Sequence, residues 1–182
     1  MTHDVNLGIG LATGMAFHAP AGTALPTYPG ETLSEAWQEI GAVSEDGITY
    51  GMNHNMTPLR NWAKVIERLM AADGDATIQA PFMDTTKDTL DTLFGAENVV
   101  TTAATNEHGA LISITIGPDT MPDAEAFLFL MKDGDDMIMI GSTRATVTAV
   151  DDITFAPNNA IIWNATISSK DWTIVKDNGQ TV

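Results

Sequence analysis

Side chains able to bind a metal or attack a substrate are scattered along this 182-residue chain rather than grouped. The four histidines, His3, His18, His54 and His108, form neither an HxH nor an HxxxH spacing, the arrangements that bring two imidazoles onto one metal ion. The chain has no cysteine, which excludes thiolate ligands and cysteine nucleophiles. It also lacks GxSxG and P-loop motifs, and Gly8-Ile9-Gly10 follows no predicted strand. We therefore expect no catalytic residue, no metal and no cofactor.

The acidic residues carry no clear binding motif either. Asp133-Gly134-Asp135-Asp136 looks like the start of a calcium loop, but it lacks a ligand at the twelfth position and joins two apolar segments, which favours a hairpin turn. With 24 acidic residues some close carboxylate pairs are unavoidable, so no pair indicates glycosidase chemistry. The four tryptophans are more typical of core or interface packing than of a sugar platform. The sequence indicates a protein that is not an enzyme.

Charge and composition narrow the class of protein further. Eight basic residues against 24 acidic ones give a net charge of −16, which disfavours binding to DNA phosphates or to an anionic membrane. No apolar run approaches the roughly 18 residues that a membrane span needs. A hydrophobic fraction of 44% over 182 residues is enough for one domain with its own core. We therefore expect residues 1–182 to form a single acidic domain that stays off membranes.

The hydrophobic pattern predicts a mainly β protein. Segments of alternating or short apolar runs follow one another with turn residues between them, and helices do not alternate with them. This order favours an antiparallel sandwich or half-barrel with one flanking helix. The predicted strands cover 14–19, 76–83, 99–104, 110–117, 124–132, 136–141, 144–150, 153–155 and 160–168.

Capping signals predict the flanking helix. Thr85 and Asp88 have the spacing of a capping box, and Gly95 ends the pattern. The apolar stripe that would pack this helix on the sheet consists of Leu90, Leu93 and Phe94.

A second, shorter helix is predicted over residues 32–41. Thr32 and Glu35 again have capping-box spacing, and Trp37 and Ile40 would share one helical face. Gly41 would occupy the left-handed position that ends such a helix.

Four segments are harder to assign. The N-terminal residues 1–12 and the polar C-terminal residues 169–182 are predicted to be flexible arms. Residues 44–59 read as a long surface loop that contains the turn dipeptide Asp46-Gly47, and loops of this length are often functional. Residues 61–70 match a helical period, since Trp62, Val65 and Ile66 fall on one face.

The order of three motifs resembles a known family. The chain runs from Ala21-Gly22-Thr23-Ala24-Leu25-Pro26, through a segment with Trp37 and Ile40-Gly41, to Val43-Ser44-Glu45-Asp46-Gly47-Ile48. This succession resembles the major tail tube proteins of long, flexible-tailed phages of the siphovirus type, especially those that infect actinobacteria. The similarity spans roughly residues 13–168 and includes the Thr85–Phe94 helix and the hairpin at 124–141.

The resemblance implies both an architecture and a role. Such proteins are subunits of rings, usually hexameric, that stack into a tube through which DNA is ejected. By this resemblance residues 61–70 form a strand, which we adopt over the helical period, and residues 44–59 reach toward the neighbouring ring. Contacts between rings are expected at Asp46, Gly47, Ile48, Tyr50 and Arg60. An acidic lumen would repel DNA, so we expect passage without specific binding.

The resemblance also implies partners and a location. The subunit would bind other copies of itself, the tape measure protein, tail assembly chaperones, and the tail terminator and distal tail proteins. It would assemble in the host cytoplasm and end in the virion. Two alternatives remain open at this point: a tube subunit of a contractile tail or type VI-like secretion system, and a secreted acidic β-sandwich that binds sugar or calcium.

Overall fold

The structure is a computed structural model that describes residues 16–53, 56–71, 74–117, 120–158 and 160–179, without the side chains of 69–71. The described residues are mainly antiparallel β-structure with one α-helix, as the sequence predicts. The strands are β1 Ala16–Pro20, β2 Gln38–Glu39, β3 Thr49–Asn53, β4 Met56–Arg60, β5 Ile66–Ala71, β6 Asp75–Phe82, β7 Val99–Thr102, β8 Leu111–Ile114, β9 Glu125–Asp133, β10 Asp136–Val150, β11 Trp163–Ser169 and β12 Thr173–Asp177. The helix α1 spans Lys87–Phe94 and is followed by a 3₁₀ turn at Ala96–Asn98.

One large sheet organises the molecule. Its strand order is β2-β1-β9-β10-β11-β6-β3, and β12 also pairs with β10. The centre of this sheet is the predicted hairpin, in which β9 and β10 pair around the turn between Asp133 and Asp136. Strand β10 is 15 residues long, so its first half pairs with β12 and its second half with β11. Two further pairs, β4-β5 and β7-β8, form separate two-stranded ribbons.

Apolar side chains cover both faces of the β1–β9 half of this sheet. Neighbouring residues Leu128 and Phe129 are 0% and 1% exposed, yet they belong to different clusters because successive side chains point to opposite faces. Phe129 faces α1, whereas Leu128 packs with Trp37 and Met139 under the segment that carries Leu25. The second cluster explains why β9 is apolar at nearly every position rather than at every other one.

The helix lies where the sequence places it, with its N-cap shifted by one residue. Thr86 is the N-cap, because its hydroxyl accepts a hydrogen bond from the backbone N–H of Thr89 at 3.3 Å. Thr85 has another role, since its hydroxyl accepts a hydrogen bond from Trp163 Nε1 at 3.1 Å. The helix ends at Gly95, whose N–H donates to Asp91 O at 2.8 Å. Its three stripe residues are buried, as follows: Leu90, Leu93 and Phe94.

The predicted short helix at 32–41 is wrong. Residues 38–39 instead form strand β2, which pairs with β1 at Phe17 and His18. The backbone N–H of Ile40 then donates to Ala16 O at 3.0 Å. Pairing with an open sheet edge satisfies these backbone groups and buries Trp37 and Ile40, so it outcompetes the local capping signal.

The segments 44–59 and 61–70, whose patterns indicate a loop and a helix, both contain β-strands. The expected loop contains β3 and β4, which the sequence did not indicate. Residues 66–71 form β5, so the strand adopted for 61–70 from the family resemblance is confirmed only in its second half, and the helical period is misleading. Asn61 to Val65 make the turn between β4 and β5: Asn61 Oδ1 accepts from the N–H of Val65 at 3.0 Å.

Two other predictions, for the C-terminal segment and for the strands between 136 and 155, need correction, and the prediction for the N-terminal arm concerns residues that the structure does not describe. The C-terminal segment 169–182 is not only a tail, because Thr173–Asp177 pairs with β10 as β12. No strand forms at 153–155, and the two segments predicted at 136–141 and 144–150 are one continuous strand with a bulge between Ser142 and Ala145. The N-terminal arm, 1–12, lies outside the described residues.

Candidate assembly surfaces

The described histidine and carboxylate groups hold structure together rather than forming a reaction centre. His18 Nδ1 lies 2.9 Å from Glu125 Oε2 and 3.2 Å from Thr92 Oγ1, which ties β1 to β9 and to α1. Within the described ranges no three metal-ligating side chains group together. Helix α1, the α-helix of the described chain, is too short and too polar to span a membrane.

The contact residues expected from the sequence fall in two separate places. Asp46 and Gly47 lie in a turn closed by the Gly47 N–H donating to Ser44 O at 3.0 Å, and Gly47 has a φ of 69° that favours glycine. Ile48 is half-buried against the core, and Tyr50 on edge strand β3 is 38% exposed. Arg60 is not near them in the sheet order, because it ends β4 in a different ribbon.

The β4-β5 ribbon with its turn forms a projecting arm, defined here as residues 56–68. Every one of these residues is exposed, and the ribbon pairs with no other strand in the described part of the chain. Trp62 at the turn is 104% exposed. Arg60 Nη1 donates to Lys64 O at 3.1 Å and holds the turn, where Lys64 has a φ of 63°. Other exposed apolar side chains on the arm are those of Met56, Leu59, Val65 and Ile66.

The arm is basic on an acidic protein. It carries three of the eight cations, at Arg60, Lys64 and Arg68, against one acid at Glu67, which gives 3 − 1 = +2. The remainder of the chain therefore carries −16 − 2 = −18. An exposed apolar surface with a charge opposite to that of the body matches a second copy of the same chain.

The β7-β8 ribbon is a second uncovered apolar surface. Val100 and Leu111 lie on one face of the ribbon and are 57% and 47% exposed. Ile112 is 43% exposed on the other face, which it shares with Val99 and Ile114, and those two residues contact the main core. Residues 99–117 carry one acid, Glu107, and no Lys or Arg. Two acidic copies can meet here without like charges facing each other.

The β3, β6 and β11 side of the main sheet has a different character. In the middle of β6 and β11, the side chains that alternate with the buried core residues point away from α1 and are uncharged and polar; Asp75 at the start of β6 and Pro81 near its end bound this stretch. We call this the neutral face; it consists of Thr49, Thr77, Gln79, Thr146, Thr166 and Ser168. The register places Gln79 between Thr49 and Thr166, so these side chains form continuous rows across strands.

Neither the arm nor the neutral face was predicted above, although the residue pattern contains a signal for each. Three cations and one tryptophan within nine residues, 60–68, stand out in a chain with eight cations. Thr77 and Gln79 alternate with apolar residues in β6, as Thr166 and Ser168 do in β11. The sequence does not show that β6 pairs with β11, and this pairing is what places the two alternating patterns side by side.

Comparison with known proteins identifies the family. The model of the family described as phage tail tube protein matches residues 1–170. No curated protein matches the chain. Two solved structures are similar at 10% identity: the tube-terminating cap of an anti-feeding prophage, with a TM-score of 0.47 over 96% of this chain and 97% of that one, and the tail of an empty GTA particle, with a TM-score of 0.42 over 78% and 88%.

The family match extends over nearly the whole chain, whereas the two structural similarities are too distant to support an argument. Tail tube proteins are structural components of the phage tail and not enzymes. The chain belongs to the phage tail tube protein family.

Proposed function

We propose that this chain is one tail tube domain that assembles into stacked hexameric rings and forms the conduit for DNA ejection in a phage with a non-contractile, siphovirus-type tail. The observation that carries the proposal is the arm at 56–68, a basic and apolar ribbon that is exposed along its whole length. Family membership supplies the context in which the arm has a function.

An arm of this kind is poorly stable without a partner. A two-stranded ribbon is marginal in water because it buries too little apolar surface. Met56, Leu59 and Ile66 are 53%, 52% and 48% exposed, so burying the rest of each side chain against another copy would contribute roughly 1 kcal/mol each. Trp62 adds an aromatic anchor, the residue type most enriched where partners bind tightly.

The charge distribution favours contact between the arm and the body of a neighbouring copy. The +2 arm is attracted to the −18 remainder, whereas two bodies repel each other. We place Asp46, Gly47, Ile48, Tyr50 and Arg60 in this contact between rings. Arg60 lies on the β4-β5 ribbon and Tyr50 on edge strand β3 of the large sheet, so they would meet different neighbours or different parts of one neighbour.

The β7-β8 ribbon supplies a second contact, between neighbours in one ring. Its exposed apolar side chains lie on both faces among uncharged residues, so the ribbon would associate through burial rather than through ion pairs. Two distinct surfaces on each subunit are what a stacked ring needs, because lateral and axial neighbours differ.

The proposal includes the partners that a tail requires. The subunit would assemble in the host cytoplasm with a tape measure protein and chaperones, meet terminator and distal tail proteins at its ends, and remain in the virion. A contractile tail would use the same kind of tube inside a sheath, and a sheath gene beside this one would identify that alternative.

The experiment compares the wild type, Trp62→Ala and a control, Tyr28→Ala, by sedimentation velocity and negative-stain microscopy. Tyr28 is a matched choice because it is an exposed aromatic residue, 52% accessible, away from the arm. We expect rings or hollow tubes from the wild type and Tyr28→Ala, and folded monomers from Trp62→Ala. Wild-type monomers at every concentration, even with the tape measure protein present, would contradict the proposal.

A further inference from the structure

The neutral face is unusual for a surface of this protein. Thr49, Gln79 and Thr166 form one row across three strands, and Thr77 with Ser168 forms the next. None of the six residues of the face is ionisable, although 32 of the chain's 182 residues are charged. Its rows carry no charge on a chain with a net charge of −16, so this stretch is a candidate for a surface that faces another polyanion.

The charged groups on this side lie at the two ends of the face. Asp46 and Asp151 line a depression of about 180 Å³ at one end, next to Thr49, Gln79 and Thr166. A depression of about 420 Å³ at the other end is lined by Asp75, Arg144, Lys170 and Asp171 as well as by Thr146 and Ser168. The uncharged stretch is therefore bounded and does not extend to the rims.

One hydroxyl of the face, that of Ser168, has a side-chain partner beside the face. Thr148, next to the face on β10, donates to Thr166 O at 3.2 Å and lies 3.0 Å from Ser168 Oγ. A hydroxyl that already has a partner offers fewer donors to a passing phosphate. The six residues of the face also include no cation, so the face has little capacity to hold an anion.

The opposite side of the sheet cannot play the same part. It carries the main core, in which Ile78, Ala165 and Ile167 pack under α1 and its neighbours. On the β1–β9 half of the sheet, the side that continues the neutral face is covered by the Trp37 cluster. Only the β3–β6–β11 part and the second half of β10 are bare on this side among the described residues.

We infer that the neutral face is the inner wall of the tube and that it meets the passing double helix as an uncharged surface. This inference rests on the proposed function. It replaces the acidic lumen expected from composition: acidic groups would raise the barrier to entry of a polyanion, and basic groups would bind it with release of counterions. A wall of Thr, Ser and Gln side chains neither repels the polyanion nor binds it. The acidic residues at the two ends of the face would lie near the rims of each ring.

The test introduces single cysteines. The chain has no cysteine of its own, so only the introduced thiol can react. Gln79→Cys reports on the neutral face, and Glu97→Cys reports on the exposed 3₁₀ turn after α1. Each variant is assembled with an excess of wild-type subunits, so that a weak effect on assembly does not prevent incorporation. Intact tubes and free subunits are then treated with a small maleimide or with a long polyethylene-glycol maleimide.

We expect both cysteines of the free subunits to react with both reagents. In intact tubes Glu97→Cys should still react with both, whereas Gln79→Cys should lose its reaction with the long reagent and keep that with the small one. Undiminished reaction of Gln79→Cys with the long reagent in intact tubes would overturn the inference and leave the tube proposal standing. A wild type that forms no tubes would overturn the proposed function itself, and the inner wall with it.

Discussion

Gln79 on β6 lies directly opposite Thr166 on β11, and both side chains point away from the core under α1. Their neighbours along each strand, Ile78 and Ile167, are 0% exposed and also pair with each other. One pairing register therefore produces a closed apolar side and an uncharged polar side. A shift by one residue would exchange the two sides, so the core holds the polar row in place.

Positive charge on the neutral face should make the assembled tube bind DNA. Tubes of the double variant Gln79→Lys with Thr166→Lys should retain short duplex DNA on cosedimentation at low salt and release it as salt rises, because added lysines displace counterions from phosphates. Wild-type tubes should retain none. The control, Asp88→Asn with Glu97→Gln, adds the same two units of charge on the helix side and should also retain none. Equal retention by both variants would show that net charge, and not the face, decides.

Reversal of one charge on the arm should impair assembly. Arg68→Glu and Lys132→Glu both lower the net charge by two units, and both side chains are exposed, but only Arg68 lies on the arm. We expect Arg68→Glu to raise the concentration at which light scattering detects assembly, because the arm then repels the acidic body. Lys132→Glu should change it little. The same rise in both variants would rule out a specific role for the arm.

An acid placed on the β7-β8 ribbon should block assembly without unfolding the subunit. Ile112 is 43% exposed, so Ile112→Asp should lower the free energy of unfolding of the monomer by about 1 kcal/mol, the span of strand propensities, and leave it folded. Burial of that carboxylate between copies would be costly. Ile112→Thr keeps the ribbon neutral and β-branched and should still form tubes. If Ile112→Asp assembles normally, the ribbon is not a contact surface.

The tight packing at Gly141 predicts a stability effect. A Cβ at this position would lie 2.7 Å from Leu25 Cδ2 and 3.1 Å from Phe127 O. Gly141→Ala should therefore lower the free energy of unfolding of the monomer by roughly 1–3 kcal/mol, as overpacking does in other cores. Gly109→Ala is the control, since nothing lies within 4 Å of a Cβ there. Urea denaturation of the two variants measures the difference, and equal midpoints would show that the segment around Leu25 moves aside freely.

Features fixed by local chemistry could be predicted from the sequence. The β9-β10 hairpin follows from a turn sequence between two apolar runs, and α1 follows from its capping threonine and terminal Gly95. Strand β6 follows from an alternation that its neighbours reinforce. In each case the signal lies within about ten residues and agrees with the tertiary environment.

Features decided by pairing with distant strands could not be predicted. Strands β2 and β12 are short segments without a strong pattern that attach to edges of the large sheet, and β2 replaced a helix that the capping signal favoured. Residues 61–70 have a helical period, but Trp62, Val65 and Ile66 are exposed in the subunit, so the period does not mark a face that packs on its core. The neutral face required the register between β6 and β11, which is a relation between residues more than 80 positions apart.

Helical reconstruction of assembled tubes by electron cryo-microscopy tests the central claim most directly. The account predicts a hollow tube in which Gln79 and Thr166 lie at the inner radius, α1 lies outside the sheet, and Trp62 of each arm is buried against another subunit. A tube with α1 at the inner radius and the neutral face on the outside, or with Trp62 exposed to solvent, would contradict it.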